Sequence, residues 1–480
     1  MAHANGKGFP YNQGPGKSTS NYDGGGHGGV GGDDKRNGGS GIGITYDSIT
    51  APGNLGSGGA VHPGSGTGGG AIALEISHQA RIDGDLGADS VNSGVAAGAG
   101  GSIYLRCATL SGSGKISADG KGGSGYGGGG GGRVSVVLSE TGADFSVFGG
   151  LISAYGGQGT GAREDGAAGT VYLETAAQGS GAGNLIIDNM DLDTHGGVNT
   201  LMPAGVNLND FSEIIIRNKG NLAVDGDDTL DLGTAHITCE DRDNATLTIV
   251  EGNGVVFPAS YTISGYTLAI DGNVSAIGNW TIASNGKLSH SENGTSETYK
   301  LNLSLTGDLT VQEGGLIDVT GMGFNPGVGL GATTGLLDGG SYGGIGGDNG
   351  PDLGIGTTYG NITAPGNIGS GGYNLDTSKK AGGAVRLVVS GTALVNGSII
   401  ASGDSGAGNG GASGGSLWIT TGTLYGNGII QSHGGNSSAY GGGGGGRIAV
   451  ALSSPGADFS GFTGSIIAYG GDSGARQDGA

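Results

Sequence analysis

The groups in this chain that could do chemistry are eight histidines, two cysteines and a scatter of acidic residues. Zinc sites and His-based acid–base catalysis need fixed partners. An internal duplication lets each candidate be tested against its own second copy. His27 aligns with Tyr342, His62 with Leu375, His78 with Gly391, His433 with Asp119 and Cys107 with Thr421. No aligned histidine is retained. His195, His236 and His290 lie in the unduplicated part and read as surface or satisfied core residues. Cys107 and Cys239 cannot form a disulfide framework or a metal cluster. Gly411-Ala412-Ser413-Gly414-Gly415 fits the hydrolase nucleophile elbow, but the counterpart Ala97–Gly101 lacks the serine and no helix pattern follows. Gly16-Lys17-Ser18 resembles the end of a phosphate-binding loop, yet Tyr11 stands where that loop needs glycine. No catalytic residue is assigned, and the chain reads as non-enzymatic.

The charges that do recur are Asp23/Asp338, Asp33/Asp348, Asp144/Asp458, Arg133/Arg447, Arg163/Arg476 and Asp165/Asp478. Tyr46/Tyr359, Tyr126/Tyr440 and Tyr155/Tyr469 recur with them. Loop anchoring by ion pairs and hydroxyl hydrogen bonds accounts for such a set. The one cofactor it suggests is calcium. Gly28–Asp33 and Gly343–Asp348 match the Gly-Gly-x-Gly-x-Asp of calcium-binding nonapeptides, which makes Asp23, Asp33, Asp338 and Asp348 candidate ligands. The apolar position that should follow is Lys35 or Gly350, and the pattern is not tandem.

Positioning these residues is the task of a repeat. Thr50-Ala51-Pro52-Gly53-Asn54-Leu55-Gly56-Ser57-Gly58-Gly59 returns from Thr363 to Gly372, an offset of 313. Tyr126, six glycines and Arg133 return as Tyr440, six glycines and Arg447, and Gly142-Ala143-Asp144-Phe145 returns from Gly456. The chain holds about one and a half repeats of roughly 313 residues. Three modules follow: 1–185, glycine-rich; 186–320, strand and turn; and 321–480, a truncated second glycine-rich copy. The middle stretch 186–319 has only 16 glycines and alternates apolar and polar residues, as in Leu301-Asn302-Leu303-Ser304-Leu305.

A finer period sits inside the glycine-rich copies. Gly-x-[Ile/Val]-x-[Leu/Val] occurs at Gly70–Leu74, Gly101–Leu105, Gly132–Val136 and Gly169–Leu173. Val385/Leu387, Leu417/Ile419 and Ile448/Val450 continue it in the second copy. A second short strand follows each: Leu86/Ala88, Ile116/Ala118, Ile152/Ala154, then Ile399/Ala401, Ile430/Ser432 and Ile466/Ala468. A unit of two strands and a glycine loop cannot bury its apolar stripe alone, but stacked units can. The expected fold is all-β, a parallel β-helix or β-solenoid, with a two-sheet sandwich as the alternative.

The glycine runs Gly127, Gly128, Gly129, Gly130, Gly131, Gly132 and Gly441, Gly442, Gly443, Gly444, Gly445, Gly446 keep both their length and their Tyr and Arg flanks. A flexible linker has no reason to do so. Bare backbones pack side by side only where Cβ is missing. The runs are therefore expected to be extended, polyglycine-II-like segments packed against other backbones.

Composition narrows the function classes. Glycine supplies 119 of 480 residues and the net charge is -21. That charge argues against nucleic acid and anionic membranes as partners, and no apolar run suits membrane insertion. Together, the Gly-Lys-Gly-Phe-Pro start, Tyr46–Gly59, Gly101–Leu105, Tyr126–Arg133 and Ala154–Gly157 resemble the glycine-rich repeats of very large bacterial surface or secreted proteins. The resemblance implies an extracellular or cell-surface, multi-repeat setting. The expected role is a structural fibre or adhesin stalk. A glycan- or surface-binding module and a β-helix polysaccharide-degrading enzyme are the alternatives. Residues 474–480 match 161–167, just before the strand of Gly169–Leu173. The parent chain is thus expected to continue with a like strand and further repeats. Otherwise identical chains would stack head to tail. In either case, the partners are adjacent repeats or like chains.

Overall fold

The computed structural model describes residues 2–33, 42–91, 95–160, 164–194, 197–225, 230–240, 242–250, 255–350, 354–373, 379–405, 410–474 and 476–480. The fold is all-β, with no α-helix among the described residues. Two compact units, Met1–Leu247 and Thr248–Ala480, divide within the middle module.

In the first unit, β1 (Ala2–His3), β2 (Ala71–Arg81), β3 (Asp85–Gly87), β4 (Ser102–Ser111), β5 (Lys115–Ser117), β6 (Arg133–Leu138), β7 (Leu151–Ser153), β8 (Thr170–Thr175) and β9 (Asn184–Asp188) carry the repeat. The short strands form one parallel sheet, β1-β3-β5-β7. The longer ones form another, in which β2, β4, β6 and β8 are parallel neighbours. The alternation read from sequence is what sets the register. Ile72, Ile103, Val134 and Val171 align in one column, and Leu74, Leu105, Val136 and Leu173 in the next. Leu86, Ile116 and Ile152 form the facing column. These residues make one contiguous core. Chain reversal between β4 and β5 rests on Gly112, whose φ of +111° disfavours any side chain.

One step departs from the uniform stacking expected. β9 folds back antiparallel on β8, pairing Ile186 with Val171. The longer-strand sheet therefore grows on through β9 to Glu213–Arg217, while the short-strand sheet stops at β7.

The second unit repeats the plan. Leu301–Leu305, Ala384–Val395, Ser416–Tyr425 and Arg447–Leu452 stack in parallel, aligning Leu303, Leu387, Ile419 and Val450. Lys287–Ser289, Leu316–Asp318, Ser398–Ile400, Ile429–Gln431 and Ser465–Ile467 form the companion sheet. All the strands predicted in the glycine-rich copies are present, each paired in parallel with a strand of a neighbouring repeat.

Candidate functional site

The glycine runs are buried, Gly446 partly so, and lie outside any strand. Gly127 donates to Tyr22 O, Gly128 to Glu164 O and Gly129 to Lys121 O. Gly130, Gly131 and Gly132 then donate to Gly25, Ala167 and Ala118. Every third N–H thus returns to the same neighbour, three residues on along 22–25 and 164–167 and three residues back along 118–121. The directions in which a Cβ would point show the same period. A Cβ on Gly127 or Gly130 would meet Gly32 or Gly29, on Gly128 or Gly131 Gly157 or Ala154, and on Gly129 or Gly132 Gly98 or Gly101. Six extended segments therefore surround one: three accept its N–H groups, and the three faced by its Cβ directions donate to its carbonyls, Ala97 and Gly100 to Gly127 and Gly130, Gly32 and Gly29 to Gly128 and Gly131, and Gly157 to Gly129. The second run repeats the donors, from Gly441–Gly446 to Leu337, Gln477, Gly435, Gly340, Ala480 and Ser432 in turn. All six N–H groups of each run are satisfied, as burial requires. A Cβ on any glycine of the first run would stand 1.8 to 2.1 Å from a neighbouring carbonyl oxygen, so there is no room for a side chain.

Arg133 closes the end of its run. It is fully buried, and its Nε donates to Tyr46 O at 2.8 Å while its Nη1 donates to Thr170 Oγ1 at 3.0 Å. Arg447 donates from Nε to Tyr359 O, also at 2.8 Å. Each tyrosine hydroxyl reaches a serine that caps a glycine: Tyr46 to Ser57 at 2.8 Å, with Gly16 donating to Ser57 at 2.9 Å. Tyr359, Ser370 and Gly331 repeat these at 2.8 and 2.9 Å. Ser57 and Ser370 were visible inside the Thr-Ala-Pro-Gly repeat, but nothing in the sequence tied them to an arginine.

His27 and Tyr342 occupy the same slot. Their rings lie 4.5 Å from Tyr46 and 4.6 Å from Tyr359. His27 bonds Gly100 O through Nδ1 and Asp47 through Nε2. Tyr342 instead meets Ser416, the counterpart of Ser102, and lies under the Arg447 guanidinium. Asp47, absent from the sequence reading because copy two has Gly360 there, receives N–H groups from Ser48, Gly53 and Asn54 and the Ser102 hydroxyl. Burial alone would raise the Asp47 carboxyl. The hydrogen bonds from His27, Asn54 and Ser48 outweigh it and hold the pKa far below the usual range. Burial lowers His27 despite Asp47, and lowers the Arg133 guanidinium to about 10. Ser102, Asp47 and His27 do not form a nucleophilic relay. The carboxylate lies between serine and histidine, and a relay needs the imidazole there.

This exchange of residues between the copies can be tested. Tyrosine at position 27 would place its ring tip against the Asp47 carboxylate, whereas copy two has glycine there at the same left-handed φ, +79° against +78°. His27→Tyr and Asp47→Gly are each expected to destabilise. Together they should cost less than their sum by about 1 kcal/mol or more. A urea-denaturation cycle on the four proteins measures this coupling.

The remaining predicted residues do not gather into one site, although the Gly24 N–Gly32 O and Gly339 N–Gly347 O hydrogen bonds bring the backbone at Asp23 beside that at Asp33 and the backbone at Asp338 beside that at Asp348. Asp23 and Asp338 are fully buried and Asp33 nearly so. Asp338 accepts from Asn349 N and from the Thr333 hydroxyl, while Asp348 accepts from Gly350 N. No group of three or more His, Cys, Asp or Glu side chains is gathered for a metal among the described residues. Asp144 and Asp458 are exposed turn caps, each accepting from the N–H two residues on at 2.9 Å. The Ser146 and Ser460 hydrogen bonds lower both carboxyls. Tyr126 stacks on Tyr22 with centroids 4.5 Å apart, and Tyr440 N donates to Ser437. Arg476 is exposed, with its N–H on Ser473; Arg163 lies outside the described residues. Ser413, of the elbow-like pentapeptide, is buried and accepts from Ser370 N.

A corner ladder went unread in the sequence. Asn5 accepts from Asp89 N, Asp89 from Asp119 N and Asp119 from Tyr155 N, at 2.9, 2.8 and 3.0 Å. Lys115 and Lys121 neutralise it through Asp119 and Asp89.

No protein-family model, curated protein or solved structure matches the chain. No helix among the described residues is long and apolar enough to cross a membrane.

Proposed function

We propose that the chain is a non-enzymatic structural repeat of a bacterial extracellular or cell-surface fibre or adhesin stalk. The observation that carries this reading is the sixfold-surrounded glycine run, present in both copies with the same neighbours in the same order. Three residues per turn and outward hydrogen bonds are the pattern of polyglycine II, the glycine counterpart of the polyproline helix. Two such bundles beside in-register parallel ladders support a β-solenoid that grows by adding repeats. The buried polar groups support the same reading. Arg133, Tyr46, Ser57 and Asp47 bond backbone groups and so fix the loops around the runs. Adjacent repeats, or like chains head to tail, are the partners this geometry suits.

Negative-stain electron microscopy of the native material tests the proposal. Filaments or long stalks are expected. A monodisperse particle at every concentration, with hydrolysis of a surface polysaccharide, would replace it with the enzyme reading.

A further inference from the structure

The two copies build one corner on the same backbone with different chemistry. In the first copy Val91 N donates to Thr67 O; in the second, Asp404 N donates to Lys380 O. A Cβ on Gly6 would meet Val91, and one on Gly321 would meet Asp404. The fold therefore forms this corner without charged residues. In the second copy the corner holds three of them. Lys380 Nζ contacts Glu292 Oε1, with only 8% and 14% of the two side chains exposed. The nearby pair Lys300–Glu297 stands at 32% and 22%. Asp404 Oδ2 accepts from Lys380 N at 3.0 Å. Burial pushes the Asp404 carboxyl up, the Lys380 N–H pulls it down, and the Glu292 charge is felt there as well. A buried ion pair is often no more stabilising than apolar residues of like volume, so stability alone does not account for the exchange.

Both contacting residues are held still. On either side of Glu292, Ser291 N donates to Asp271 and Asn293 N to Met322 O. Asn293 Oδ1 then accepts from Thr298 N and Tyr299 N. Lys380 is tied to Asp404 through both its N–H and its C=O, and Ala381 N donates to Phe324 O. Groups fixed in contact react as though at effective molarities of about 10⁵ to 10⁸ M. Burial adds direction. An ammonium and a carboxylate each lose hydration here, whereas an amide carries no charge to hydrate.

We propose that Lys380 and Glu292 condense into an intramolecular isopeptide bond between Nζ and Cδ. Within the contact, Nζ passes one proton to Glu292 Oε1, giving an amine and a carboxylic acid. The Nζ lone pair attacks Cδ. A second proton moves from Nζ to the protonated oxygen, the C–O bond breaks and one water leaves. Nothing is oxidised or reduced, and the charges of the pair cancel. The bond ties the loop after Lys287–Ser289 to the segment before Ala384–Val395. It closes 292–380 into a ring that contains the strands Leu301–Leu305, Leu309–Val311 and Leu316–Asp318. A chain pulled from both sides cannot extend within that ring. Resistance to pulling is a use that rests on the stalk reading; the bond itself does not.

Mass spectrometry of the purified full chain tests the proposal. The intact protein is expected to be one water lighter than its sequence. A tryptic digest should contain residues 288–300 joined to 380–386, with the chain uncut after Lys380. Lys380→Arg keeps the positive charge but offers no amine that can deprotonate. That variant and Glu292→Ala should each have the full mass of their sequences. Wild type at its full sequence mass, cut by trypsin after Lys380, would overturn the proposal. So would a missing water that persists in Lys380→Arg or maps to another pair of residues. The joined peptides are read from wild type, so the test stands even where a variant fails to fold, and it stands whether or not the protein forms fibres.

Discussion

Alanine at both Gly129 and Gly130 is expected to destabilise the first unit by more than about 3 kcal/mol. A Cβ on Gly129 would stand 1.9 Å from Gly98 O, and one on Gly130 would stand 2.0 Å from Gly29 O. Carbon and carbonyl oxygen approach to about 3.3 Å at closest, so each methyl must push a neighbouring backbone away by more than 1 Å. That neighbour is itself held on other sides, and the shift would break hydrogen bonds beyond the site of change. Two controls separate this steric cause from glycine's conformational freedom. Gly125 has φ of +90° and open space around its Cβ direction, so Gly125→Ala should cost about 1 kcal/mol from backbone strain alone. Gly149 has open space and no left-handed φ. Gly149→Ala should be neutral, or stabilise by up to about 1 kcal/mol through the unfolded chain. Urea midpoints should rank the double variant far below Gly125→Ala, and Gly125→Ala below Gly149→Ala. If the double variant unfolds with Gly149→Ala, the close-packed bundle is refuted.

That ordering also shows which parts of the structure the sequence exposes. The apolar columns were legible because a parallel ladder repeats one residue type at one register, and Ile103, Val134 and Val171 do so. The special status of the hexaglycine runs was legible from their equal length and flanks. Their six neighbours were not, since 22–25, 29–32 and 98–101 lie in loops with no apolar period. Asp47 was invisible for the opposite reason: comparing copies discards whatever one copy lacks, and Gly360 stands in its place. The reversal at β9 left only a faint signal. Gly179 and Gly181, both at φ of +83°, make the turn between β8 and β9, but glycines are too common here for two more to stand out.

The unduplicated part hides a pair of buried titratable groups, and their opposition gives the second large effect. His290 is fixed as a neutral tautomer: Nδ1–H donates to Ser291 O at 2.7 Å, and Nε2 accepts from Ala384 N at 3.1 Å. Burial pushes its pKa from 6.5 down to about 4. A group depressed in this way contributes stability at neutral pH that is lost as pH falls from about 6.5 to 4, roughly 3 kcal/mol. Asp271 accepts from Ser291 N at 2.6 Å, on the other side of the same residue. Burial pushes its carboxyl up to about 6, against the pull of the Ser291 hydrogen bonds. Its ionised form is therefore costly above pH 6, and stability returns as pH falls from 6 towards 3.8, by about the same amount. The two slopes oppose, so this pair adds little net pH dependence to the second unit between pH 6.5 and 4. Breaking the pair should reveal each slope. Asp271→Asn keeps an acceptor for Ser291 N without the charge. It should stabilise by about 2 to 3 kcal/mol at pH 7 and lose roughly 3 kcal/mol on acidification to pH 4. His290→Gln should do the reverse and gain stability as pH falls. The chain's two tryptophans, Trp280 and Trp418, both lie in the second unit, so their fluorescence in urea titrations at each pH reports on that unit alone. Parallel pH profiles for wild type and both variants would show that neither group is held in the state its burial imposes.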